Sequence, residues 1–213
     1  MDHYFTAFDR NYAARGLVML ESLRSVAGEI TTTVLALDED TFRAVQGHCD
    51  HTLRVTDLGD PQFEAAQSNR SHEEFCWTCA PILSAFMIRR SKPGDIVVYV
   101  DADLFFYSDP IALIAEMGDD KNIMIHPHRY SADKVSYEAS SGVFNVGFVA
   151  FRVSDEARAC AARWRQQVLD LCIKDPARGL RHHHRGPRQA RHRLLHPLCP
   201  CSGSRDSWPS GTA

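Results

Sequence analysis

Val97-Val98-Tyr99-Val100-Asp101-Ala102-Asp103-Leu104-Phe105 decides the reading of this chain. The apolar run from Ile96 to Val100, preceded by Pro93-Gly94, has the length and composition of a strand buried on both faces of a parallel sheet. Two carboxylates leave that strand at its C-terminal end, the edge at which open α/β sheets bind ligands. Residues i and i+2 of an extended chain point the same way about 7 Å apart, so Asp101 and Asp103 can reach one cation between them. A hard divalent ion, Mn²⁺ or Mg²⁺, takes such oxygen ligands together with substrate phosphates. At 4 Å and an effective dielectric near 20, a pair of like charges repels by about 4 kcal/mol, so a diphosphate near bare carboxylates needs that cation.

Outward from this strand, apolar runs alternate with helical periodicity, the pattern of a layered α/β domain. Strands are expected at His3–Phe8, Thr31–Leu37, Thr52–Val55 and Asn122–Ile125, with one or two more in Gly142–Phe151. Helices are expected over 11–26, 40–47 and 73–90, from Asp109-Pro110, and over 155–172 behind a Ser154 cap. Cys76-Trp77-Thr78-Cys79 has C-x-x-C spacing and could be paired with Cys199 and Cys201 as a zinc site. Phe75 and Trp77 favour a buried helix start instead, and a redox motif would sit after a strand near the N-terminus.

The chain has 213 residues, 44% of them hydrophobic, enough for one sizeable core. No apolar run approaches the roughly 20 residues of a membrane span, and Met1 leads into a mixed polar segment, so a cytoplasmic protein is expected. Seven cysteines, an odd number among apolar neighbours, read as reduced thiols. From Lys174 onward there are eight Lys/Arg against two Asp, which leaves the first 173 residues with 16 basic and 25 acidic residues, net −9. That tail lacks Ile, Val, Phe, Tyr and Met and holds five of the ten prolines, so 1–173 is expected to be the folded domain and 174–213 a disordered basic tail.

The D-x-D segment resembles the metal-binding motif of GT-A fold glycosyltransferases, especially those similar to glycosyltransferase family 8. Phe5-Thr6-Ala7-Phe8-Asp9-Arg10-Asn11-Tyr12-Ala13 resembles that family's first strand and nucleotide-binding turn. Phe144-Asn145-Val146-Gly147-Phe148-Val149 resembles its F-N-x-G segment. The three occur in the family's order over roughly residues 3–172. The resemblance implies a three-layer α/β/α fold around a mostly parallel mixed sheet. It also implies transfer of a sugar from a nucleotide-diphosphate-sugar donor, UDP-sugar foremost, to a sugar, lipid or protein acceptor. Thr6, Ala7, Asp9, Asn11 and Tyr12 would hold the nucleoside, with Tyr12 stacked on the base. Asp101 and Asp103 would hold the metal, with Val100 and Ala102 beside them at the donor. Asn145 would bond sugar hydroxyls and Gly147 would let the backbone approach. His126, Pro127, His128 and Arg129 follow a strand edge on the same side and are expected within reach of the sugar or phosphate.

The family pattern continues with a D-Q region and an H-x-x-G segment that supplies a third metal ligand. Neither is present, and His182-His183-His184 lie in Arg/Pro-rich sequence without a flanking strand. The Arg, Pro, His, Gly and Ser enrichment is what a GC-rich gene yields when the frame is lost near Cys172–Asp175. The helix before D-x-D has Thr78-Cys79-Ala80-Pro81 near the place of the family's arginine. Three other readings stay open: a truncated, non-catalytic nucleotide-sugar-binding module; a phosphatase that uses D-x-D, against which Phe105 stands; and recruitment to nucleic acid through the Arg-rich tail, although no nucleic-acid partner is expected.

Overall fold

The computed structural model describes residues 2–171; residues 172–213, including Cys172, His182–His184, Cys199, Cys201 and the expected tail, lie outside the described residues. Six strands form one sheet in the order β3-β2-β1-β4-β6-β5. They are β1 (Asp2–Phe8), β2 (Ile30–Ala36), β3 (His51–Arg54), β4 (Ile96–Val100), β5 (Ile123–Pro127) and β6 (Phe144–Arg152). β3, β2, β1 and β4 pair in parallel, and β6 runs antiparallel between β4 and β5. This is the expected mostly parallel mixed sheet.

Alternate side chains of the strands feed two cores. Phe5, Leu35, Val97, Tyr99, Val149 and Phe151 pack under α4 (His72–Arg90) and α7 (Asp155–Leu171). Tyr4, Phe8, Val34, Val98, Val100 and Phe148 pack under α1 (Ala13–Val26), with Ile114 of α5 (Ile111–Ala115) joining them. The sheet is thus sandwiched between helices, as a sheet apolar on both faces requires.

Several boundaries differ from the sequence reading. α4 begins one residue earlier, because Ser71 and Glu74 form a reciprocal capping box on its first turn. α2 (Glu39–Ala44) is capped by Asp38, whose carboxylate accepts from the Thr41 N–H at 2.7 Å. α3 (Pro61–Asn69) was not expected at all, although Asp60 caps it and Pro61 occupies its first position. Asp60 also receives two hydrogen bonds from the Arg165 guanidinium, at 2.8 and 2.7 Å, which tie α3 to α7. A short α6 (Glu138–Ser141) follows β5. β6 is one continuous strand rather than two.

Two features of β1 generate predictions. A Cβ on Gly16 of α1 would stand 2.5 Å from the Phe8 ring. Overpacking of this kind costs about 1–3 kcal/mol and outweighs the roughly 1 kcal/mol that alanine gains over glycine in a helix. Gly16→Ala is therefore expected to lower Tm by several degrees in a thermal melt, despite its better helix propensity.

At the opposite end of β1, burial above all, and then the neighbouring His51, push the His3 imidazole down to about 4, against the pull of Asp50 and Asp95. The ring accepts from or donates to Thr33 Oγ1 at 2.7 Å. A base whose folded pKa is depressed is protonated first in the unfolded chain, so its stabilising effect is complete above about pH 6.5 and is lost as pH falls toward about 4. Urea denaturation across that window is expected to show a steeper loss of stability for the native chain than for His3→Gln.

Candidate functional site

The carboxyl edge of the sheet opens onto a cavity of about 560 Å³. Three groups of residues build its walls. The first is the turn after β1. Asp9 is buried, and its Oδ1 accepts the backbone N–H groups of Asn11 at 3.0 Å and Tyr12 at 3.2 Å. Its Oδ2 accepts from Asn11 Nδ2 at 2.7 Å and meets His72 Nε2 at 2.7 Å. One carboxylate therefore folds the whole turn, and the Asn11 and Tyr12 side chains emerge on the cavity side. Tyr12 stays 42% exposed at the lip, with the Arg15 guanidinium 5.0 Å from its ring centroid. It is not a core aromatic.

The second wall is the end of β4 and the neighbouring part of β6. β4 stops at Val100, so Asp101 and Asp103 do not stand on an extended strand as expected. The chain turns instead, with the Leu104 N–H bonded to the Asp101 carbonyl at 3.3 Å, and the turn puts both carboxylates on the cavity wall. The Tyr99 hydroxyl donates to Asp101 Oδ1 at 2.8 Å. The Asp101 N–H donates to the Gly147 carbonyl at 2.8 Å and extends the β4–β6 ladder by one step. On the other side of β6 the register shifts: Ile125 faces Val149, but His126 faces Asn145, so residues 146–148 have no counterpart on β5. Such bulges re-aim side chains beside sites. Here Asn145 Oδ1 turns back to accept the Gly147 N–H at 2.7 Å.

Gly147 sits in a tight space. A Cβ there would lie 3.0 Å from Asn145 Oδ1 and 3.3 Å from Asp101 Oδ2, so both side chains would have to give by a few tenths of an ångström.

The α4 part of the third wall was not anticipated, whereas His128 was among the residues expected on this side. His72, Glu73, Cys76 and Trp77 line the cavity from the first two turns of α4, and His128 lines it from beyond β5, stacked on Tyr130 at 4.1 Å. Phe75 and Cys79 are buried as the helix-start reading requires, but Trp77 is not part of that core. Periodicity carried part of the signal: apolar positions 75, 79, 82, 83 and 86 form one face and leave Glu73 and Trp77 on the other, whereas His72 falls within that stripe and Cys76 at its border.

Of the expected donor positions, Ala7, Asp9, Asn11, Tyr12, Asp101, Ala102, Asp103, Asn145 and Gly147 line this cavity. Thr6 and Val100 do not. Each is 1% exposed inside the sheet, and Thr6 Oγ1 has no hydrogen-bond partner. His126, Pro127 and Arg129 also stay off the lining, and Arg129 has a φ of 49°.

No family model matches the chain. It is similar to two uncharacterized proteins of Bacillus subtilis strain 168. YfnD is 29% identical over 174 residues, 80% of this chain and 55% of YfnD. YfnF is 24% identical over 184 residues, 83% of this chain and 61% of YfnF. The chain thus spans little more than half the length of these relatives. Among solved structures, it is similar to the galactosyltransferase LgtC in complex with donor and acceptor sugar analogs, with a TM-score of 0.54, 18% identity, and coverage of 81% of this chain and 65% of that one. It is similar also to the glycosyltransferase GlyE of Streptococcus pneumoniae TIGR4, with a TM-score of 0.54, 15% identity, and coverage of 92% and 43%. A third is the bifunctional glycosyltransferase WbbM, with a TM-score of 0.51, 16% identity, and coverage of 76% and 33%. At these identities the common property is the fold. This chain has the GT-A fold of nucleotide-diphospho-sugar transferases. Among the described residues no helix is long and apolar enough to cross a membrane.

The Asp9 turn yields a test. Truncating the carboxylate removes acceptors from two backbone N–H groups and two side chains, and losing partners for polar groups in a part-buried turn costs about 1–3 kcal/mol. Asp9→Ala is expected to lose stability in that range by urea denaturation, whereas a variant of the exposed Asp103, Asp103→Asn, stays within about 0.5 kcal/mol of the native chain.

Proposed function

We propose that this chain is the donor-binding part of a glycosyltransferase that moves a sugar from a nucleotide-diphosphate-sugar, a UDP-sugar foremost, to an acceptor hydroxyl on a sugar, lipid or protein. One observation carries the reading: Asp101, Asp103 and Asn145 open onto the same cavity as the Asp9–Tyr12 turn. A ligand with a nucleoside at one end and a sugar diphosphate at the other would meet a matching wall at each end.

The cavity wall carries four acidic residues, Asp9, Glu73, Asp101 and Asp103, and among the described residues no Lys or Arg lines it. A diphosphate would be repelled there unless a cation intervened. The residues fit such a cation, because two carboxylates are the hard oxygen ligands that Mn²⁺ or Mg²⁺ accepts along with phosphate oxygens. Asp101 and Asp103 would hold it. When bound, the metal supplies Lewis-acid stabilisation of the leaving diphosphate. Tyr99 orients Asp101 through the 2.8 Å bond from its hydroxyl. Tyr12 offers a ring at the lip for the base, and Asn145 offers its amide N–H groups to sugar hydroxyls while its oxygen is held by Gly147.

The second reading is a nucleotide-sugar-binding module without turnover, in which the same cavity holds the donor and no transfer follows. A panel of nucleotide sugars with Mn²⁺ separates the two. The enzyme reading expects metal-dependent release of nucleoside diphosphate that falls on the order of 10²-fold or more in Asp101→Asn and Asp103→Asn, since several kcal/mol of charge stabilisation is withdrawn. Gly147→Ala is expected to act in the same direction by displacing Asp101. Metal-dependent thermal protection by UDP without release selects the module, and neither protection nor release with any donor refutes both.

A further inference from the structure

A second, chemically different set of ligands stands on the cavity's third wall. Asp9, His72 and Cys76 are, among the described residues, the one group of three His, Cys or acidic side chains whose ligand atoms all lie within 4.8 Å of one another. His72 and Cys76 are four residues apart at the start of α4 and so share a helix face. Asp9 reaches them from the turn after β1. His72 Nε2 stands 2.7 Å from Asp9 Oδ2 and 3.7 Å from Cys76 Sγ.

With its proton on Nε2 the ring donates to Asp9 Oδ2 at 2.7 Å, and the Cys76 sulfur stands beside the same nitrogen as a weak acceptor, so without an ion the three close as a hydrogen-bonded cluster. A cation at the centre of the three would engage a lone pair from each. His72 has room to adjust, because its side chain is 58% exposed, whereas Asp9 is held by Asn11 and Tyr12.

We propose that Asp9, His72 and Cys76 form a binding site for a borderline-soft divalent cation of the Zn²⁺ class, separate from the all-oxygen pair at Asp101 and Asp103. Sulfur, imidazole and carboxylate together select Zn²⁺ or Co²⁺ over Mg²⁺ or Mn²⁺, and a fourth position remains for water. Occupancy fastens the first turn of α4 to the β1–α1 turn across one end of the cavity. The thiol proton of Cys76 and any proton on Nε2 are released to solvent on binding, so affinity rises with pH.

Co²⁺ is the probe, because a cobalt–thiolate bond gives a charge-transfer band that imidazole and carboxylate do not. Co²⁺ is titrated into the full chain and into Cys76→Ser, His72→Ala and Cys76→His, each checked for native circular dichroism. Binding by the other six cysteines and by His182–His184 is common to all four proteins, so differences report this site alone. The expected result is one fewer cobalt equivalent in Cys76→Ser and His72→Ala. Cys76→His is expected to keep the equivalent while losing part of the charge-transfer band, since an H-x-x-x-H pair still ligates. Should Cys76→Ser fail to fold, the Cys76→His spectrum decides. Unchanged stoichiometry in His72→Ala together with an unchanged band in Cys76→His overturns the proposal. Because no nucleotide enters the experiment, its outcome is independent of the glycosyltransferase reading.

Discussion

The close approach of β6 to the end of β4 at Gly147 is the constraint on which the site depends. A single backbone bond, Asp101 N–H to Gly147 carbonyl at 2.8 Å, carries the ladder past Val100 and fixes where the first carboxylate leaves the sheet. The same residue has no Cβ, so Asp101 and Asn145 share a space that any larger side chain would fill. β5 contributes by omission: its register shift leaves residues 146–148 without a partner on that side, and of these Val146 and Gly147 line the cavity. Position, direction and clearance of the D-x-D turn all follow from this one crossing.

The rest of the fold supplies stiffness around that point. Tyr99 is buried against Phe5, ring to edge at 5.9 Å, so the hydroxyl that holds Asp101 is anchored in the core under α4. α4 in turn is clamped by α7, whose Arg158 donates to the Ile88 and Ser91 carbonyls at its C-terminal end. Pro81 lies inside α4 and supplies no N–H to the Trp77 carbonyl, yet the helix continues to Arg90 because its apolar face is packed along its length. The other end of α4 meets the turn after β1, where His72 contacts Asp9, and there His72, Glu73, Cys76 and Trp77 line the cavity while Phe75 and Cys79 stay in the core.

The layered fold was legible because its signals are local and strong. Ile96–Val100 and the β-branched run at Thr31–Leu37 can hardly be anything but buried strands, and the order of the three motifs placed them on one edge. α3 was overlooked although Asp60-Pro61 announces its start, since nine mixed residues carry little periodicity of their own and the Asp60–Arg165 ion pair that fastens them is 105 positions away in sequence. The D-x-D geometry was read from strand periodicity, which fails where a strand ends; whether Asp101 and Asp103 sit on a strand or a turn is settled by the β6 partner, not by their own neighbours. Thr6 shows the reverse error, a polar residue in a motif that the alternation of β1 directs into the sheet. The α4 wall needed tertiary knowledge, namely that the start of the helix meets the turn after β1 through His72 and Asp9, 63 positions apart in sequence.

The two proposed ligand sets differ in chemistry while sharing one cavity. Asp101 and Asp103 offer only oxygen, and a cation held by them would keep open positions for phosphate oxygens. The trio on α4 and the β1 turn offers sulfur and nitrogen beside one carboxylate, a set that would favour softer ions. An acidic body of net −9 attracts both kinds of cation without selecting between them. Selection then rests on ligand softness and on the freedom of each set to close: Asp101 is braced by Tyr99 and β6, whereas His72 is exposed and can move. Asp9 belongs to both regions, since the carboxylate that shapes the turn at Asn11 and Tyr12 is also the one that His72 contacts. Whatever occupies that contact is therefore transmitted to the Tyr12 lip through a single residue.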